Sequence, residues 1–263
     1  MAFVAFGQST QQKQQGPTKS GRIALVLLTP GLAYLGLFFI TPLISLITTS
    51  LKTASASGVI GRYDFALEFG NYAFAIGQYA PQIFRSFAYA LIATIVALLI
   101  SYPIAYFIGV KARNKPLLQG LLLTLVIAPF FISFLLRTFA WKQIFSNDSF
   151  IVNLLKDIGI FGADTNIIGT DFAVVFGLVY NFIPFMTLPI YASLDRLDIR
   201  LVEAGGDLYA NPATTFWKIT FPLSLPGVIS GTLLTFIPIS GDYVVASRDF
   251  LGSSSTAMIG NVV

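Results

Sequence analysis

Five long apolar runs separated by polar stretches dominate the chain: Ile23 to Leu51, Ser86 to Gly109, Leu117 to Phe139, Phe172 to Leu194, and Pro226 to about Val245. Each reaches the ~20 residues that an α-helix needs to cross a ~30 Å hydrocarbon core. The pattern predicts five membrane-spanning helices. Pro30 and Pro42 in the first run, Pro103 in the second, Pro129 in the third, and Pro184 and Pro189 in the fourth predict kinks. Proline lacks a backbone donor and crowds the turn before it. The first run is far longer than the roughly 7–15 residues of a cleavable signal core, and reads as a permanent anchor.

One polar stretch is more than a connection. Between the fourth and fifth runs lies Leu201 to Pro222, LVEAGGDLYANPATTFWKITFP. Asp198 is placed to cap a first helix, Ile199 to about Tyr209. Asn211 followed by Pro212 reads as an N-cap with proline at the first helical position, where its missing N–H costs nothing. Leu201, Ala204 and Leu208 fall on one face of the first helix, and Glu203 and Asp207 on another. Two short helices joined by a tight turn on one membrane face make a docking surface, and such a helix suits a cleft in a partner.

Charge sets the expected orientation. Lys111, Arg113 and Lys115 fall between Val110 and Pro116 without an acid, and Lys13, Lys19 and Arg22 precede the first run. Short basic loops stay on the cytoplasmic side. Residues 1–22, polar and low in complexity, are expected as a flexible cytoplasmic tail, with a transmembrane domain over 23–263. The loop at about 195–222 then faces the cytoplasm, and the loops 52–85 and 140–171 face outward. Five spans leave Val263 outside, and LGSSSTAMIGNVV reads as the approach to a further helix.

Composition narrows the chemistry. The chain is 55% hydrophobic and 11% charged, where a soluble domain carries about 25% charged residues. Cysteine and histidine are both absent, which removes disulfides, thiolate chemistry and the usual zinc, iron and copper ligands. Without a GxxxxGK[ST] loop the chain is not expected to hydrolyse ATP itself. No HExxH or GxSxG motif suggests a membrane enzyme. The net charge of +4 fits topology better than nucleic-acid binding.

The polar stretch resembles the EAA loop of bacterial ABC importer permeases. In that family Glu-Ala-Ala is followed by a glycine four residues after the Ala–Ala step, then by Ile-x-Leu-Pro. Glu203, Ala204, Ile219 and Pro222 agree with it. Gly205 replaces alanine, Phe221 replaces leucine, and Tyr209 stands where the glycine is expected. Asn211 tolerates left-handed backbone and is expected to take over part of the turn. Three further segments look like permease subunits of spermidine/putrescine ABC importers: FLLRTFAWKQIF (134–145), PFMTLPIYASLDRLD (184–198) and SGDYVVASRDFLGSSSTAMIGN (240–261).

The resemblance implies an all-α integral membrane protein with the type I importer permease fold. Members have six spans, so a final helix is expected to be missing from the C-terminus. Implied partners are a second, related permease, two cytoplasmic ATPase subunits and an extracytoplasmic binding protein. ATP and Mg would sit on the ATPases, with no cofactor or metal on this chain. The ATPase-coupling residues would be Glu203, Ala204, Gly205, Asp207, Ile219 and Pro222. Gly205 and Gly206 each cost ~1 kcal/mol relative to alanine in a helix, and either allow close approach of a partner's backbone or leave the helix weaker.

A polyamine needs carboxylates for its ammonium groups and aromatic faces for its methylenes. Asp242 and Tyr243, late in the fifth run, are candidate path residues, with Trp141 and Tyr180 as further aromatic contacts. Asp171 is expected to cap the fourth span. Arg137 is expected to anchor the third span at the interface or to pair with Asp171 or Asp242. The alternatives are the same architecture carrying iron, sulfate or a sugar, and an ion-coupled carrier acting alone.

Overall fold

The computed structural model describes residues 20–54, 63–159, 162 and 165–262, in two compact units, Met1–Ala75 and Ile76–Val263. The expected tail lies outside the described residues as far as position 19. Ser20 to Arg22 already belong to a helix.

In the first unit, α1 (Ser20–Leu35) and α2 (Thr41–Ser50) join through a widened turn at Gly36–Ile40. Together they give an apolar helix, Ile23–Ser50, of 28 residues with mean hydropathy 2.3. The Thr41 amide reaches back five residues to the Gly36 carbonyl, one place before Pro42. A widened turn there moves the preceding carbonyl away from the proline ring. Two-residue strands β1 (Thr53–Ala54) and β2 (Tyr63–Asp64) pair antiparallel. Asn71, in the first turn of α3 (Gly70–Tyr106), donates to the Ser50 and Lys52 carbonyls, both at 3.0 Å.

The helix α3 starts at Gly70 rather than near Ser86. Its first turns mix polar and apolar residues, so hydropathy alone hides them, and the connection expected over 52–85 is correspondingly shorter. In the second unit α3 runs into a widened turn, Phe107–Lys111. Then follow α4 (Pro116–Ile127), a tight turn at Ala128–Phe131, α5 (Phe134–Phe145) and α6 (Phe150–Asp157).

The third run is not one straight span. Its arms Pro116–Phe131 and Phe134–Asp157 meet at 93°. Pro129 interrupts the helical ladder, and Ile132 (ψ 133°) and Ser133 (ψ 136°) are extended.

The helix α7 (Asp171–Asp195) matches the fourth run and is followed by α8 (Ile199–Asp207), α9 (Pro212–Thr215) and α10 (Phe221–Ser240). A Cβ on Gly227 would lie 2.6 Å from the Pro189 carbonyl oxygen, and one on Gly231 would lie 3.0 Å from the Met186 carbonyl oxygen. This small-xxx-small pair lets α10 press directly on the α7 backbone, as in other membrane helix pairs. The core is built around that seam from Leu178, Met186, Ile190, Leu194 and Ile239, all fully buried.

The last span ends at Ser240, short of the expected Val245, with Gly241 closing the helix. Residues 241–262 fold as turns onto the unit. The Ile259 amide donates to Ser86 Oγ at 2.8 Å, Arg85 Nη1 donates to the Ala257 carbonyl at 3.0 Å, and Leu251 and Met258 are buried. Among the described residues four helices are long and apolar enough to cross a membrane, and the bent pair supplies a fifth if its arms share one crossing.

Candidate docking loop and transport path

The polar loop folds as two short helices. Asp198 caps α8, its Oδ1 accepting from the Arg200 amide at 3.0 Å. Asn211 caps α9, its Oδ1 accepting from the Thr214 amide at 2.7 Å, with Pro212 in the first helical position. Both caps answer donors that a helix leaves without partners.

The turn between them departs from expectation. Tyr209 itself takes the left-handed conformation, with φ 59°, while Asn211 is extended at φ −69° and ψ 159°. Asn211 is committed to capping α9 and cannot also make the turn. Tyr209 therefore carries a strain of about 1 kcal/mol that glycine would avoid. Tyr209 is 99% exposed, so no contact among the described residues offsets that cost.

Gly205 and Gly206 separate into two roles. A Cβ on Gly205 would lie 3.1 Å from both Ile219 Cδ1 and Thr215 Oγ1, whereas Gly206 faces open space. Gly205 thus lets α8 close against its own chain at Thr215 and Ile219, rather than admitting a partner's backbone. Thr215 precedes and Ile219 lies within the widened turn Phe216–Thr220, which ends where the Phe221 amide bonds to the Phe216 carbonyl, again one place before a proline, Pro222. Ile219 thus packs α8 onto the turn that leads into α10, whose second residue is Pro222. On the outer face of the elbow, Glu203, Ala204 and Asp207 are exposed, as are Leu201, Leu208 and Trp217.

The base of the loop is held by a residue whose sequence signal was only charge. Arg113 donates through Nη1 to the Leu197 carbonyl at 2.8 Å and through Nη2 to the Asp195 carbonyl. Gln119 Nε2 donates to Asp195 Oδ1 at 3.1 Å. The last carbonyls of a helix lack donor partners within it, and a guanidinium there also meets the negative end of the dipole. The basic loop after α3 and the start of the docking loop are thereby fastened together at one end of the unit. A cleft of about 540 Å³ opens beside them, lined by Ser193, Arg196, Asp198, Leu201 and Pro226 among others.

The path candidates fall into two groups. Trp141 and Tyr180 meet with ring centroids 5.2 Å apart, inside an aromatic cluster that includes Phe176, 4.6 Å from Trp141. Tyr180 lines two apolar clefts of about 520 and 500 Å³. Asp242 and Tyr243 belong to the turn after α10. Tyr243 is exposed and Asp242 is 7% exposed. The Asp242 Oδ1 accepts from the Val245 amide at 2.8 Å. Burial outweighs its backbone hydrogen bonds and pushes the Asp242 carboxyl up to about 6.

Two expected pairings are not formed. Asp171 is not the cap of α7: Thr170 is, with its Oγ1 accepting from the Ala173 amide at 3.3 Å. Asp171 instead accepts from the Tyr89 hydroxyl at 2.6 Å. With Asp171 and Asp242 so engaged, Arg137 has neither as a partner. Its Nε and Nη1 are buried and have no hydrogen-bond partner among the described residues.

Residues 101–261 match the family model described as binding-protein-dependent transport system inner membrane component. The chain belongs to that family. Among curated relatives, the spermidine/putrescine transport system permease protein PotB of Haemophilus influenzae is 35% identical over 232 residues, covering 88% of this chain and 78% of the relative. The protein of the same name from Escherichia coli K12 is 35% identical over 231 residues, covering 88% and 81%. The inner membrane ABC transporter permease protein YdcU of Escherichia coli K12 is 28% identical over 176 residues, covering 62% and 55%. This family member is thus an integral, helical membrane transport component.

Proposed function

We propose that this chain is a transmembrane subunit of an ATP-driven importer for polyamines, spermidine or putrescine. It would form the path with a second, related permease and receive cargo from an extracytoplasmic binding protein. Two cytoplasmic ATPase subunits would hold the ATP and Mg and grip the elbow α8–α9, with the N-terminus on the same cytoplasmic side. The observation that carries this reading is the elbow itself: capped at both helices, closed at Gly205 and fastened to the basic loop by Arg113. A stiff lever set in this way passes a push on its exposed face through Ile219 and Pro222 into α10. The names of the PotB relatives support the cargo.

Within this reading Glu203, Ala204, Gly205 and Asp207 make the lever, and Asp242, Tyr243, Trp141 and Tyr180 belong to the path. The cluster Trp141–Tyr180 would cover methylenes, and Asp242 would meet an ammonium group. Glu203→Lys reverses charge on the exposed face without touching the core. The expected outcome is loss of at least ten-fold in ATP-dependent uptake of labelled spermidine, with the protein still in the membrane. Unchanged uptake would refute the coupling role. Competition by unlabelled putrescine, sulfate and sugars in the parent strain separates this cargo from others.

A further inference from the structure

The feature that docking and path leave unexplained is Arg137. It is 7% exposed, and among the described residues neither its Nε nor its Nη1, both enclosed, has a hydrogen-bond partner. An ionised side chain inside a membrane domain is expensive and marks a functional position unless an opposite charge answers it. The acids expected to answer it are engaged by Tyr89 and by the Val245 amide.

Position makes the case sharper. Arg137 sits in the first turns of α5, directly after the 93° break. Its guanidinium folds back along the helix, with Cζ 5.9 Å from the Phe134 ring centroid, the direction in which helical side chains lean. Ser133 gives this twelve-residue helix no side-chain cap, so the amides of Phe134, Leu135 and Leu136 lack an acceptor from their own helix. A cation and the positive end of a helix dipole therefore converge. The burial pattern of α5 is that of a membrane helix: Leu135, Leu136 and Phe139 are exposed as on a lipid-facing side, while Arg137 and Thr138 are turned into the protein.

We infer that Arg137 and the amino end of α5 form a site for a single negative charge, a carboxylate or a halide. The helix end supplies donors and the guanidinium supplies the neutralising charge, as at other interrupted membrane helices. The anion is a structural counter-ion rather than cargo, because the same two charges repel an ammonium group. It holds α5 against α7, where Asn181 Nδ2 already donates to Thr138 Oγ1 at 3.1 Å. Two sources offer this chemistry: chloride from solution, or an acidic side chain of the neighbouring permease in the assembled complex.

The test is thermal stability of the purified complex, and of this chain alone, at constant ionic strength with chloride replaced by gluconate. Arg137→Gln removes the charge, and Arg137→Lys keeps it. A midpoint that rises by roughly 3 °C with chloride in the parent and is flat in Arg137→Gln places a solution anion at the site. A chloride-independent parent complex that loses at least as much in Arg137→Gln, partly restored in Arg137→Lys and with the isolated chain unaffected, places a partner's carboxylate there. Arg137→Gln as stable as the parent in every arm would overturn the proposal. If Arg137→Gln does not assemble, anomalous scattering of bromide at Arg137 in the parent protein decides the halide arm. The absence of both that signal and any chloride dependence, with Arg137→Lys equally unable to assemble, would count against the site. None of these readings depends on the cargo, so failure of the polyamine assignment leaves the test intact.

Discussion

Tyr209 adopts φ 59° at the hinge of the elbow, where a side chain gains nothing from its own chain. Tyr209→Gly is expected to raise the stability of the purified protein by up to about 1 kcal/mol, read as a higher unfolding midpoint. Uptake should fall in the same variant if the ring seats on an ATPase. A lower midpoint would show that the left-handed turn is not a source of strain. Asp242 gives a second prediction at this scale. Its folded value of about 6 lies above the ordinary 3.8, so folding favours the protonated acid. The burial cost is fully present above about pH 6 and is relieved as pH falls towards 4. The parent should gain up to about 3 kcal/mol of stability over that window relative to Asp242→Asn. A slope of the same size in the Asn variant would assign the effect elsewhere. The bend at Tyr209 escaped sequence reading for a physical reason: the capping preference of Asn211 and the turn preference of glycine are local, but which residue bends is settled by the closure of α8 at Gly205.

At the scale of elements, the spans and both elbow helices were legible because apolar length and capping chemistry are written in consecutive residues. The breaks were less so. Pro129 announced a kink, yet the 93° bend depends also on Ile132 and Ser133 turning extended. The start of α3 and the end of α10 moved because hydropathy reports solvent preference, whereas helices stop at backbone events such as Gly241. The seam between α7 and α10 was readable as Gly227-x-x-x-Gly231 and went unread among the apolar residues. Gly231→Leu should force its side chain into the Met186 carbonyl, 3.0 Å from the Cβ position. The expected loss is about 3 kcal/mol or more, measured as a lower unfolding midpoint or as failure to accumulate in the membrane. A Leu variant as stable as the parent would mean the two helices do not meet so closely.

At the scale of the whole molecule, the path candidates lie on different elements, and only Trp141 and Tyr180 were brought into contact. Such convergence is invisible in a linear chain. Arg113 shows the converse: its charge gave only an expectation of membrane side, and the fold sets it on the Asp195 and Leu197 carbonyls. The central claim is that the elbow lies on the cytoplasmic face and is covered by an ATPase. Because the chain has no cysteine, Leu208→Cys provides a single thiol on the exposed face of the elbow. The decisive measurement is its labelling by a membrane-impermeant maleimide in intact cells and in inverted vesicles, with and without the ATPase bound. The expected result is labelling in inverted vesicles alone, suppressed at least five-fold by the ATPase. Labelling in intact cells, or no protection by the ATPase, would contradict it.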